Sequence, residues 1–233
     1  MNIKRKLAEG VAGWLMFESH SNRGRLFGEK YLTAPIGHIL SGIYGTGVLA
    51  EMNHPILNMY KTWPGRPPQI DFGILAKDKY TVAVESKWIG KTQVGVGEII
   101  WDLIRLELLH YAYATTCFFI LGGQKKKLIE LFASDRFQEP RENGRTRPVL
   151  RLLKNVKKLS IRIDSPPPKR AELIKGRISQ YQNVSMPTGI VTGYPEFYPL
   201  TCKSSDYQVF IWEVRSYKSK PRFFPKNSNY YRT

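Results

Sequence analysis

Two strand-like stretches lie almost back to back in this chain, Gln69-Ile70-Asp71-Phe72-Gly73-Ile74-Leu75 and Tyr80-Thr81-Val82-Ala83-Val84-Glu85-Ser86-Lys87. The short polar break between them leaves room for little other than a tight turn, so they are predicted to form a hairpin centred on Asp78. Paired residue numbers then sum to about 156, which sets Asp71 directly across from Glu85. Side chains on a strand alternate with a period of two. Glu85 and Lys87 therefore share a face with Asp71, while Ile70, Phe72, Ile74, Val82 and Val84 point to the other. One face is apolar. The other carries two carboxylates and an amine around the small residues Gly73 and Ala83, a suitable place for a divalent cation.

The rest of the chain suits an α/β domain with a central mixed β-sheet flanked by helices. Gly24 to Ile39 reads as a helix interrupted near Pro35 or beginning there. Gly42 to Gly47 reads as a turn and Val48 to Met52 as a first strand, which His54-Pro55 ends or turns into an edge. From Glu98 to Ala114, apolar residues leave only a narrow polar stripe of Glu98, Asp102 and Arg105, as expected of a largely buried helix. Thr116 to Leu121 is continuously apolar and ends at Gly122-Gly123, the pattern of a strand covered on both faces. Lys125 to Ala133 suits a further helix and Val156 to Ile163 a further strand. Residues 1–164 are thus expected to form the core, with an N-terminal helical segment. Ser165-Pro166-Pro167-Pro168 marks a break, and residues 165–233 read as a basic, aromatic-rich C-terminal extension without assigned structure, apart from a strand at Val209 to Val214.

Charge narrows the partner. The 233 residues include 36 Lys and Arg against 19 Asp and Glu, a formal net charge of +17, which favours a polyanion such as nucleic acid. Two cysteines, Cys117 and Cys202, support neither a disulfide framework nor a cysteine-held zinc, and point to a reducing, cytoplasmic setting. No apolar run approaches the roughly 20 residues needed to span a bilayer, so no membrane partner is expected. His20, His38, His54 and His110 are scattered without metal-ligand spacing. A Gly-x-Ser-x-Gly elbow and a phosphate-binding Gly-x4-Gly-Lys loop are both missing, which removes support for serine hydrolases and NTPases.

Asp71, then Glu85-Ser86-Lys87 on the next strand, then a long helix and an apolar strand, together resemble the PD-(D/E)XK nuclease superfamily, whose core is the restriction-endonuclease-like fold. The resemblance covers roughly residues 25 to 163, with Ile70 where the name-giving proline would stand. It implies a magnesium-dependent deoxyribonuclease, with manganese as a substitute, in which Asp71 and Glu85 bind the ion. Lys87 then positions or activates the attacking water and stabilises charge on the phosphate. It also implies a glutamate on the first helix completing the catalytic set; Glu29 matches by position, with Glu51 and Glu18 as competitors. The Gln-x3-Tyr pattern of RecB-like exonucleases is missing, which favours an endonuclease, acting in restriction, defence, repair or recombination.

For DNA contact, Lys91 and Gln93 follow the motif in a loop past which phosphate would run. Arg136, Arg141, Arg145 and Arg147, with Arg151 and the basic aromatic tail, supply cations for phosphate contacts that carry no sequence information. Because cutting both strands of a duplex often needs two active sites, a homodimer is expected. The alternative reading is a non-catalytic nucleic-acid-binding or assembly subunit on the same fold, with the acids held in ion pairs.

Overall fold

The computed structural model describes residues 2–90, 95–140, 146–150, 159–216, 219 and 221–233. In chain order the elements are α1 (Ile3–His20), α2 (Glu29–Tyr44), β1 (Val48–Asn53), α3 (Pro55–Met59), β2 (Gln69–Ala76), β3 (Lys79–Ile89), α4 (Val96–Tyr113), β4 (Thr116–Gln124), α5 (Lys125–Ala133), β5 (Gln138–Pro140), β6 (Thr146–Pro148), β7 (Leu159–Arg162), α6 (Pro168–Ile178), β8 (Met186–Pro187), β9 (Gly189–Thr192), β10 (Glu196–Tyr198), β11 (Tyr207–Arg215) and β12 (Arg222–Phe223). Eight strands form one sheet in the order β1-β2-β3-β4-β11-β9-β7, with β10 on β11. β3 and β4 run parallel, and the other described pairs of this sheet are antiparallel. A parallel pair needs a crossover, and α4 supplies it. The mixed sheet with flanking helices is the architecture read from the sequence.

Two cores cover the two faces. Leu7, Val11 and Leu15 of α1 and Leu32, Ile36 and Leu40 of α2 pack on Phe72, Ile74, Val82, Val84, Phe118 and Ile120. On the opposite face α4 lays Ile100, Leu103 and Ile104 over Ala83, Phe119 and Leu121. The period-two alternation of β3 and β4 divides their side chains between these cores, which is why Glu85 and Lys87, in step with Ala83, lie on the α4 face. α2 runs straight through Pro35, contrary to the expected interruption. Pro35 is itself buried, and the apolar stripe on either side of it gains enough from packing to offset the missing backbone bond.

The hairpin turns at Lys77 and Asp78, both left-handed at φ 49° and 60°, as a two-residue turn of this kind requires. A register shift between Ile74 and Leu75 then sets the pairs Ile74↔Val82, Gly73↔Ala83 and Phe72↔Val84. These pairs match the predicted register. The alternation fails at one place: Ile70 packs in the α4 core and not beside Phe72 and Ile74. On β1, Met52 joins it there, after Glu51 adopts φ 48° between the pairs Ala50↔Phe72 and Met52↔Ile70. A left-handed residue within a strand reverses the pleat, so both strands change faces beside Asp71.

The segment beyond residue 165 is not peripheral. β11 lies between β4 and β9 in the sheet, with Val209 and Ile211 in one core and Phe210, Trp212 and Val214 in the other. A strand apolar on both faces is stable only inside a sheet, and this one completes it. α6 approaches α4 so closely that a Cβ on Gly97 would collide with the Leu173 carbonyl oxygen. The tail is anchored too: Tyr231 is fully buried and donates to the Ile163 carbonyl at 2.7 Å, and Arg222 grips buried Glu107 through both Nη atoms at 2.8 and 3.1 Å. Among the described residues no helix is long and apolar enough to cross a membrane.

Candidate metal-binding acidic cluster

Four elements converge on one polar cluster. Glu29 is the first residue of α2, where a helix N-terminus favours an acid. Asp71 lies near the start of β2, Glu85 and Lys87 sit on β3, and Asp102 and Arg105 project from α4. The polar stripe on that otherwise apolar helix faces the charged stretch of β3.

The cations bridge the acids. Lys87 Nζ donates to Glu29 Oε1 at 2.6 Å and lies 3.3 Å from Asp102 Oδ2. Arg105 Nη2 stands 2.5 Å from Asp102 Oδ1 and 2.9 Å from Glu85 Oε1, while its Nη1 donates to the Gln69 carbonyl at 2.5 Å. The β2–β3 ladder ends at Phe72↔Val84, one pair short of Asp71. Asp71 Oδ2 instead accepts from both the backbone N–H and the hydroxyl of Ser86, each at 2.7 Å. Its carboxylate caps the opened ladder and is held next to Glu85.

Burial dominates the electrostatics. Glu85 is fully buried, and neither carboxylate oxygen accepts a hydrogen bond; the nearby Arg105 nitrogen is close but not aligned for one. Desolvation pushes Glu85 well above the usual carboxylate range, reinforced by Asp102 and Asp71 against the pull of Arg105 and Lys87. It raises Asp71 as well, against the Ser86 hydrogen bonds, and Glu29, against Lys87. Burial alone would lower Lys87, but Asp102 and Glu29 outweigh it and hold its ammonium charged.

Among the described residues no three His, Cys, Asp or Glu side chains lie close enough to hold a metal ion together. On Asp71 and Glu85, the oxygens engaged neither by Ser86 nor by Arg105 are Oδ1 and Oε2. That donor set fits an ion which takes one or two carboxylates and fills its remaining positions with water and substrate phosphate, as magnesium does. Glu85 Oε1 already lies 2.9 Å from Arg105 Nη2, so further positive charge would be favoured at its buried Oε2, which accepts no hydrogen bond.

Glu29, Asp71, Glu85 and Lys87 are therefore brought together. Glu51 turns away to pair with Arg66 at 3.2 Å, and Glu18 is buried against Tyr31 and Arg23. Arg136 is exposed on a short turn and Arg147 is half-buried on β6; neither joins the cluster. Lys91, Gln93, Arg141, Arg145 and Arg151 lie outside the described residues. Asp102 and Arg105 stand out in the sequence as polar positions on a buried helix, but the sequence assigns them no role. Their i, i+3 spacing on an apolar face is the available signal. Comparison with models of known protein families, with curated proteins and with solved structures finds no match for this chain.

Proposed function

We propose that this chain is a metal-dependent deoxyribonuclease of the PD-(D/E)XK type, acting as an endonuclease on DNA phosphodiester bonds, with magnesium, or manganese in its place, held by Asp71 and Glu85. The observation that carries this reading is Glu85, a fully buried carboxylate with no hydrogen bond on either oxygen, in a cluster where four acids face two cations. A buried carboxylate with no hydrogen bond and only a misaligned contact to Arg105 is costly, a cost that a bound cation would lower. The ion, when bound, supplies Lewis-acid polarisation of the phosphate and a more acidic water.

The remaining work falls to the chain itself. Lys87 keeps its proton under the field of Asp102 and Glu29 and presents a fixed positive charge to a phosphate whose negative charge grows as the bond to the leaving oxygen breaks. Glu29 and Asp102 hold that ammonium from two sides, so little reorganisation accompanies the reaction. The Ser86 N–H and hydroxyl fix one oxygen of Asp71 and leave its other oxygen for the ion. The +17 charge of the chain draws DNA toward it.

One observation favours a second reading, a non-catalytic nucleic-acid-binding or assembly subunit: Lys87 and Arg105 already pair with Glu29, Asp102 and Glu85. Incubating the purified protein with linear, branched and single-stranded DNA and magnesium or manganese separates the two. Cleavage that Lys87→Ala abolishes supports the enzyme. Inactivity on every DNA form supports the subunit, and equal activity in the variant rules out the proposed site.

A further inference from the structure

Resting on that reading, we propose that Arg105 is a built-in counter-ion that fills the place a second metal ion would take, so that the site accepts a single divalent cation. Many phosphodiester-cleaving sites use two ions a few ångströms apart, bridged by shared carboxylates. Here a guanidinium already spans two of the cluster's four carboxylates, Glu85 and Asp102.

The geometry is that of a fixed strut. Arg105 touches Asp102 Oδ1 at 2.5 Å, Glu85 Oε1 at 2.9 Å and the Gln69 carbonyl at 2.5 Å, so it ties α4 to both strands of the hairpin. Its side chain is 12% exposed and that of Asp102 3%, which leaves the guanidinium little room to swing into solvent. A guanidinium cannot shed its proton, so its charge is permanent and it cannot become a ligand. Asp102 is occupied on both sides, with Arg105 at Oδ1 and Lys87 at Oδ2, and Glu29 is taken by Lys87.

Charge leads to the same count. With all four ionised, as in the metal-bound state, Glu29, Asp71, Glu85 and Asp102 bring four negative charges, and Lys87 and Arg105 offset two, leaving a formal charge that one divalent ion neutralises. A second ion would have to displace Arg105 and leave a buried guanidinium without its partners, an arrangement that is strongly unfavourable.

The test is Mn2+ binding to the full-length protein, with free ion followed by electron paramagnetic resonance and heat by calorimetry, without DNA. Wild type is expected to bind one Mn2+ per chain, at a site that Asp71→Asn weakens. Arg105→Met, folded by circular dichroism, is expected to bind a second ion, or the first about tenfold more tightly or better, because the site has lost a nearby positive charge. Arg105→Lys is expected to keep the stoichiometry at one. Two ions per wild-type chain overturn the inference and leave the nuclease reading standing, as does a folded Arg105→Met with wild-type stoichiometry and affinity. A wild-type chain that binds no Mn2+ removes both. If Arg105→Met does not fold, the wild-type stoichiometry decides.

Discussion

His54 makes folding stability depend on pH in a direction the structure determines. Its ring is fully buried between the hairpin side of the sheet and α4. Nδ1 accepts from the N–H groups of Ile56 and Leu57 at 3.3 and 3.2 Å, capping α3, so Nε2 carries the proton and donates to the Arg105 carbonyl at 3.0 Å. A second proton on Nδ1 would face two N–H donors inside an apolar core. Burial accordingly lowers the ring from 6.5 to about 4, helped by the charge of Arg105. Between those values the unfolded chain binds a proton that the folded chain refuses, so stability rises with pH across the window. The contribution is fully present above 6.5 and is lost as pH falls toward 4. The difference corresponds to about 3 kcal/mol in full, and about 2.5 kcal/mol between pH ~7.5 and pH ~4.5. Urea denaturation at the two pH values, on wild type and on His54→Asn, measures it. Asparagine at this position caps α3 but does not titrate, so the acid loss should shrink by about 2.5 kcal/mol in the variant. The raised carboxylates of the acidic cluster titrate in the opposite sense in both proteins and cancel in the comparison. Equal acid losses in the two proteins, or a folded-state His54 titrating near its ordinary value by NMR, would refute the reasoning.

Three further outcomes follow from the same geometry. Trp212→Ala, which empties a fully buried site against Phe119, Phe132 and Phe210, should cost about 3–5 kcal/mol in denaturant titration; a loss below about 1 kcal/mol would mean β11 is peripheral after all. Arg222→Ala leaves buried Glu107 without its partner and should cost about 3–5 kcal/mol, whereas Arg222→Met with Glu107→Met should recover most of it. Mn2+ affinity should rise with pH above the ordinary carboxylate range, because burial makes Glu85 and Asp71 harder to ionise and the ion competes with their protons; calorimetry showing affinity independent of pH there would contradict that upward shift.

Much of the hairpin was legible because a two-residue period and a short turn leave few registers that keep Phe72, Ile74, Val82 and Val84 on one face. The pairs Phe72↔Val84 and Gly73↔Ala83 follow from that constraint. Ile70 escaped it, since the reversal of the pleat depends on a left-handed Glu51, which no local pattern announces. Glu29 was reachable only through a family resemblance, because helix position alone does not say that α2 begins over Lys87. Asp102 and Arg105 stood out as polar residues on an apolar helix, but apart from each other their partners Gln69, Glu85 and Lys87 lie on other elements. The placement of β11 was hidden for a related reason: its pairing with β4 is long-range, and nothing local distinguishes a central strand from an appended one.

Cleavage of supercoiled DNA by wild type and Glu85→Gln, with and without magnesium, bears most directly on the proposed site. The substitution keeps the size of the buried side chain, and Arg105 keeps Asp102 and the Gln69 carbonyl as partners, so the fold should survive. Magnesium-dependent nicking by wild type, lost by about 10²-fold or more in the variant at unchanged thermal stability, is the predicted result. Cleavage at the same rate in both proteins, or magnesium-independent cleavage, would contradict it.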